Sequence, residues 1–374
     1  MISQLGNNQH HAVIDVDDVD TTHDANNNTD HHDPHQVENL LTQELLQLSF
    51  KDRNDNQEEI HGVKCLAPKE TPELIELSLY CLVVELEQQT SHMSNSNHTS
   101  ASASSAAAPV VETYKQAYLL SQSFQEGRNF VNSRDFQLRF LRLEFFDSKK
   151  AAIRIMKFLF AAHDLFGCIA LWRPIQLEDF TSAERKDFRK ARYQLLPQRA
   201  HGTGRLVMCS IPDETYTQIP IRTRNKIMMY ILWVIGSDVD TQRRGIVVLM
   251  LFDVTSFSNF AAVQSFRNAA PNTDLFCVRG SGIHFCTPDT PFYRLIRSLL
   301  IAKVVTRDQD RSRVQLHTGT AIELRYILQG YGIATDHLPM TYTGKVKDVY
   351  WRHWMRSRLM IEEQQQQQQQ QQQA

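Results

Sequence analysis

Residues 245–253 read GIVVLMLFD, an unbroken run of seven apolar residues between a glycine and an aspartate. The run is too short for an ordinary helix, is rich in β-branched residues and does not alternate. It therefore predicts a strand covered on both faces, as in a parallel sheet. Gly204 to Ser210 (GRLVMCS) has the same character, and Ile221 to Ile235 between the two reads as a helix. A further helix is expected over Ser258 to Ala269. Gly282 to Cys286 and Arg313 to His317 complete the strands, with helical stretches at Thr290 to Val304 and Thr320 to Gly330. Strands that alternate with helices of this length need crossover connections, so the expected class is α/β: a mostly parallel sheet flanked by helices.

Toward the N-terminus the period changes from strand to helix. Tyr114, Ala117, Tyr118 and Ser121 share one helical face, and Phe136, Phe140, Leu143 and Phe145 another, interleaved with Arg134, Arg139 and Arg142. Asp147 and Ser148 supply an N-cap for a helix with the stripe Ala152, Ile155, Met156, Leu159 and Phe160, ending at Gly167. Thr181 or Ser182, with Glu184 following, opens one more helix expected to reach about Leu195. An all-helical N-terminal domain over 109–198 thus precedes an α/β unit over 199–350.

The flanks differ in composition. Residues 1–36 are rich in Asn, His, Asp and Thr and predict a disordered acidic tail, whose clustered histidines (His10, His11, His23, His31, His32, His35) read as solvated rather than metal-binding. Residues 37–87 hold two accessory helices, Asn39 to Phe50 and Pro72 to Glu87, without which residues 110–350 are expected to fold. A Ser/Ala-rich linker spans 88–108, and 351–374 is a C-terminal helix with a poly-Gln tail, Gln364 to Gln373. The first 50 residues carry nine acids and no Lys or Arg, and the 40 basic residues against the remaining 33 acids leave +7 on residues 51–374. Spread that thinly, the excess is far short of a dedicated nucleic-acid stripe and only weakly permissive for membranes or phosphates. Six scattered cysteines without a CxxC pair argue against a zinc site or a disulfide framework. With no signal segment and apolar runs about half a bilayer long, the chain is expected to be cytoplasmic and soluble.

Signatures of catalysis are missing. His201-Gly202-Thr203-Gly204 precedes its strand and Gly280-Ser281-Gly282 lacks a third glycine, so neither is a phosphate loop. Asp253 after the central strand reads as a turn residue before a catalytic acid. His284, His317 and Cys286 share a pocket only if their strands pair, and core histidines are the default. The expectation is a binder with no catalytic residue, metal or cofactor. Thr290 to Lys303 (TPFYRLIRSLLIAK) carries the stripe Phe292, Leu295, Ile296, Leu299 and Leu300 beside Arg294, Arg297 and Lys303. That pattern serves either a crossover helix or a helix at a membrane interface.

The order of these elements resembles the CRAL-TRIO family of lipid-binding and lipid-transfer proteins. Phe140-Leu141-Arg142, Phe145-Phe146-Asp147 and Lys149 to Ala152 resemble its helical N-terminal signature. Leu195-Leu196-Pro197 with Gly204 to Val207, then Gly245 to Asp253, Ala270-Pro271-Asn272, Gly282 to Phe292, and Leu338-Pro339 with Gly344 follow in the family's order over roughly 135–347. The chain departs at Asn272, where phosphoinositide-transferring members have an acid, at Arg311 or Arg313 in place of a Lys, at Arg205-Leu206 in place of Arg-Pro, and at Thr343-Gly344 in place of Gly-Gly.

The resemblance implies a soluble carrier that encloses one lipid and exchanges it at membranes. Exposing an acyl chain of ~15 methylenes to water costs on the order of 12 kcal/mol, so a carrier must cover it. The cavity and gate are then expected at Val207, Val247, Leu249, Leu251, His284, Phe292, Leu295, Ile296, Leu299 and Leu300. Headgroup or membrane contacts are expected at Arg294, Arg297, Lys303 and Arg313. The partners are a lipid ligand and, transiently, an anionic membrane; the carrier is a monomer peripheral to it. The alternatives are a non-transferring interaction module on the same fold, or an α/β enzyme using Asp253 or His284.

Overall fold

The strand and helix alternation closes into one sheet in the computed structural model, which describes Leu46 and residues 48–91, 108–253, 273–294 and 312–373. The strands are β1 (Tyr193–Leu195), β2 (Leu206–Ser210), β3 (Ile246–Leu251), β4 (Gly280–Thr287) and β5 (Val314–Thr318), in the spatial order β1-β2-β3-β4-β5. The pairs β2–β3, β3–β4 and β4–β5 are parallel. Each parallel step requires a crossover, and α10 (Ile221–Ile235) with α11 (Val239–Arg244) provides the first, between β2 and β3.

The register sorts the side chains into two faces. Val207 pairs with Val247, Leu249 with Cys209 and His284, and Leu251 with Cys286. This face is covered by Leu324 and Leu328 of α12 (Ala321–Gly330) and by Ile333 and Leu338. Thr320 caps α12 through a reciprocal pair with Glu323, as the Thr-x-x-Glu spacing requires. The opposite face carries Met208, Met250 and Phe285, which join the main core. Val248, Ile283, Val314 and Leu316 on that face are only half-buried.

The main core is built from the helical half. α5 (Arg134–Leu143) and α6 (Ser148–Phe166) stack Phe136, Phe140 and Phe158 against Trp233 of α10, with ring centroids 5.0–6.4 Å apart. Asp147 caps α6 by accepting from Lys150 N at 3.0 Å, and Gly167 ends it at φ +74°.

Three expectations change. The helix expected to run from Thr181 to Leu195 stops at Phe188 (α8, Ser182–Phe188), because Ala191 turns the chain at φ +57°. Tyr193 to Leu195 then pair antiparallel with β2. Within the region 37–87 taken as accessory, a helix not expected from the sequence, α1 (Phe50–Ile60), buries Glu59 and Ile60, and α2 (Pro72–Ser91), which extends past Glu87, places Leu82 and Leu86 in the main core. The C-terminal helix α13 (Val349–Gln373) continues through the glutamine tract. It is anchored by buried Trp351, whose Nε1 donates to Phe188 O at 3.1 Å. Residues 1–36, the start of the Asn39 to Phe50 helix, most of the 88–108 linker and the Ser258 to Ala269 helix lie outside the described residues.

Candidate ligand site at the carboxyl edge of the sheet

The carboxyl ends of β3, β4 and β5 open into a cavity of about 320 Å³. In open α/β sheets this is the edge at which ligands bind. Its walls are mostly apolar: Leu251, Cys286, Leu324, Leu328, Leu338 and Met340. Asp253, Asp289, Thr290, Arg325 and Thr341 place polar groups in the same lining.

The segment after Leu338-Pro339 closes over the end of β3. Gly344 holds φ +76° there, and a Cβ on it would stand 2.3 Å from Asp253 Oδ2, so only glycine fits. Tyr293 donates its hydroxyl to Asp253 O at 2.8 Å, which ties the start of the Thr290 helix to the same strand end. Arg325 donates to Met340 O at 2.6 Å and to Ala321 O at 3.3 Å, and its guanidinium lies 3.8 Å from the Tyr342 ring. It is a half-buried cation without an ion pair among the described residues.

The structure brings together part of the set expected from sequence. Val207, Val247, Leu249, Leu251 and His284 do share one sheet face, but only Leu251 lines the cavity; Val207, Val247 and Leu249 are buried in the cluster that α12 completes, and His284 is buried against His317 and Tyr331. Phe292 is half-buried against Tyr293, with centroids 5.6 Å apart. Arg294 is exposed and bidentate to Asp289 at 2.7 and 2.9 Å, which leaves little free charge for a membrane. Leu295, Ile296, Leu299, Leu300, Arg297 and Lys303 lie outside the described residues.

Arg313 corrects the expectation of a headgroup contact. It is 6% exposed and pairs with Glu59 of α1, which is fully buried. Arg279 reaches the same carboxylate at 2.7 Å, Arg205 lies 3.6 Å away, and Leu66 N donates to it at 3.0 Å. Burial opposes the charge on Glu59, but Arg279 and Arg313 outweigh it and hold the carboxyl below its usual range. The cluster sits at the amino edge of the sheet, ahead of β2, β4 and β5, where it clamps α1.

His284 and His317 meet across β4 and β5, with Nδ1 of the first 2.9 Å from Nε2 of the second. Tyr331 packs edge-on against His284, and His61 stacks on Tyr331. Burial, aided by His317 and His61, pushes His284 down to about 3, and burial pushes His317 down to about 4. Both are neutral core residues. Among the described residues no group of His, Cys, Asp and Glu side chains is placed to hold a metal ion, and no helix is long and apolar enough to cross a membrane.

Sequence reading missed Arg325 and Met340. The signal available for Arg325 was its place one residue after Leu324 on an amphipathic helix, which sets it at the border of the apolar stripe. No protein-family model matches the chain and no curated protein matches it.

Proposed function

We propose that this protein is a carrier for a single slender hydrophobic ligand with an anionic end, such as a fatty acid. The observation that carries the reading is the apolar cavity at the carboxyl edge of the sheet with Arg325 in its wall. Its volume of about 320 Å³ lies at the low end of small-molecule sites, which suits one acyl chain better than a two-chain phospholipid. The walls supply methyl and methylene contacts worth ~0.8 kcal/mol per buried methylene, and Arg325 supplies a fork for the carboxylate. Exchange at a membrane follows from the same energetics, since the chain must pass from one apolar phase to another. The resemblance to CRAL-TRIO proteins supports the reading through the order of motifs that converge here: the Asp253 strand end, the Thr290 helix start and the Leu338 to Gly344 closure.

Native mass spectrometry of the purified protein, followed by displacement of a fluorescent fatty acid, tests it. One bound single-chain lipid is expected, with displacement lost in Leu328→Trp, which fills the cavity, and affinity reduced about tenfold in Arg325→Gln. A protein that carries no lipid and binds no fatty acid would overturn the proposal.

A further inference from the structure

A larger cavity lies in the helical half, away from the sheet edge. It holds about 610 Å³ between the start of α5, the end of α10, residues 173–176 and one face of α13. Phe130, Phe136 and Trp233 line one part, and the amides of Gln176, Gln365 and Gln368 another. The charged residues in its wall are Asp135, Arg139, Arg173, Arg358 and Glu362.

Four of these five are accounted for. Arg173 is bidentate to Asp179 at 2.8 and 3.0 Å. Arg358 pairs with Glu362 at 3.0 Å, and Glu362 also accepts from Leu177 N at 2.7 Å and Tyr230 Oη at 2.5 Å. Asp135 is exposed and solvated.

Arg139 is different. It is 7% exposed and makes no ion pair among the described residues. Its partners are the Trp233 carbonyl at 2.9 Å, the Cys277 Sγ at 3.9 Å and the Trp233 ring, 3.7 Å from the guanidinium carbon. Burial pushes the Cys277 thiol up, so that group is neutral. The Arg139 Nε has no hydrogen-bond partner among the described residues. Exposed Asp135 acts on Arg139 only through space, and every group in contact with the guanidinium is neutral. A guanidinium buried in such contacts is costly, and a carboxylate is the group whose geometry answers it in two hydrogen bonds.

We infer that the cavity lined by Arg139, Trp233, Phe130 and Phe136 is a second ligand site, one that takes a small aromatic monocarboxylate. One unpaired cation matches one negative charge, and three aromatic rings match a flat apolar body. The volume lies inside the range for small-molecule sites. The glutamine tract gains a role, since Gln365 and Gln368 form part of the wall and Gln366 donates to Gln176 Oε1 at 3.4 Å.

Trp233 is the reporter. Benzoate, phenylacetate, 3-phenylpropionate and indole-3-acetate are titrated into the full chain by calorimetry and tryptophan fluorescence, each beside its neutral amide. At least one acid is expected to bind saturably and at least tenfold tighter than its amide, with the fluorescence change lost in Trp233→Phe. Arg139→Met removes the preference for the acid. Ser237→Trp, at the exposed mouth, blocks entry without touching the core, so the test survives if Arg139→Met does not fold. Leu328→Trp leaves this binding unchanged, which separates it from the site at the sheet edge. Equal binding of acids and amides, or no saturable binding by any of the four acids, overturns the inference.

Discussion

His284 and His317 share a hydrogen bond in which one ring nitrogen must donate and the other accept, so the pair is built for two neutral imidazoles. Their folded pKa values of about 3 and about 4 lie below the 6.5 of a free histidine. As pH falls below 6.5 the unfolded chain takes up protons that the folded chain refuses, and stability drops by about 1.4 kcal/mol per pH unit for each histidine. Urea midpoints are therefore expected to fall steeply between pH 6.5 and 4.5, and His317→Gln should roughly halve the slope. Glu70, which burial would raise but Arg243 and Arg142 hold at about 2, loses its contribution only as pH drops below 4.5, so the two windows separate. Glu59 gives the other residue-scale test. Glu59→Gln leaves Arg205, Arg279 and Arg313 buried without a counter-charge and should cost about 3–5 kcal/mol. The exposed pair of Arg294 with Asp289 is the control: Arg294→Ala should leave the urea midpoint unchanged. If Glu59→Gln unfolds at the wild-type midpoint, the clamp at the amino edge of the sheet is not stabilising.

At the scale of elements, the inner parallel strands stand within two residues of the apolar runs GRLVMCS, GIVVLMLF and GIHFC, and the edge strand β5 within one residue of RVQLH. A strand buried on both faces needs such a run, which makes it legible without its neighbours. β1 was not legible: three residues at a sheet edge carry no pattern of their own, and their place is set by the turn at Ala191 and by Gln194, which donates to Lys347 O at 2.8 Å. The carboxyl-edge cavity was half legible. Leu251 and the Leu338 to Gly344 closure come from the resemblance in motif order, whereas the choice of sheet face depends on which helix covers it, and α12 lies over the face that the resemblance assigned to the ligand. Residues 37–87 were read as accessory, with no helix expected over Phe50–Ile60, because the decisive contacts of this region are remote, Glu59 to Arg313 across 254 positions and Glu70 to Arg142 across 72. α2 places Leu82, fully buried, in the main core, so Leu82→Ala should cost about 2–5 kcal/mol. A fragment starting at residue 108 loses that helix together with the Glu59 and Glu70 clamps. It should show no cooperative urea transition, and a fragment that unfolds near the full-length midpoint would return α1 and α2 to accessory status.

On the scale of the whole molecule, charge is divided along the chain more sharply than its total of −2 suggests. Seven of the acids lie within residues 1–36, which contain no Lys or Arg, so deleting that segment moves the net charge to +5. A carrier of the kind proposed must approach a membrane, and where that surface is anionic each basic residue near it contributes about 1 kcal/mol. The acidic segment opposes this approach wherever it lies within a Debye length, about 8 Å at physiological salt and about 30 Å at 0.01 M. Removing residues 1–36 is therefore expected to tighten binding to vesicles containing phosphatidylserine at low salt. The gain should shrink steadily with added salt and vanish near 0.5 M, while binding to neutral phosphatidylcholine vesicles stays the same. The measurement is vesicle co-sedimentation of full-length and truncated protein across that salt series. Equal binding of the two proteins at 0.01 M would show that the acidic segment exerts no electrostatic control over the membrane encounter. A gain that persists at 0.5 M would assign the difference to apolar contact instead of charge.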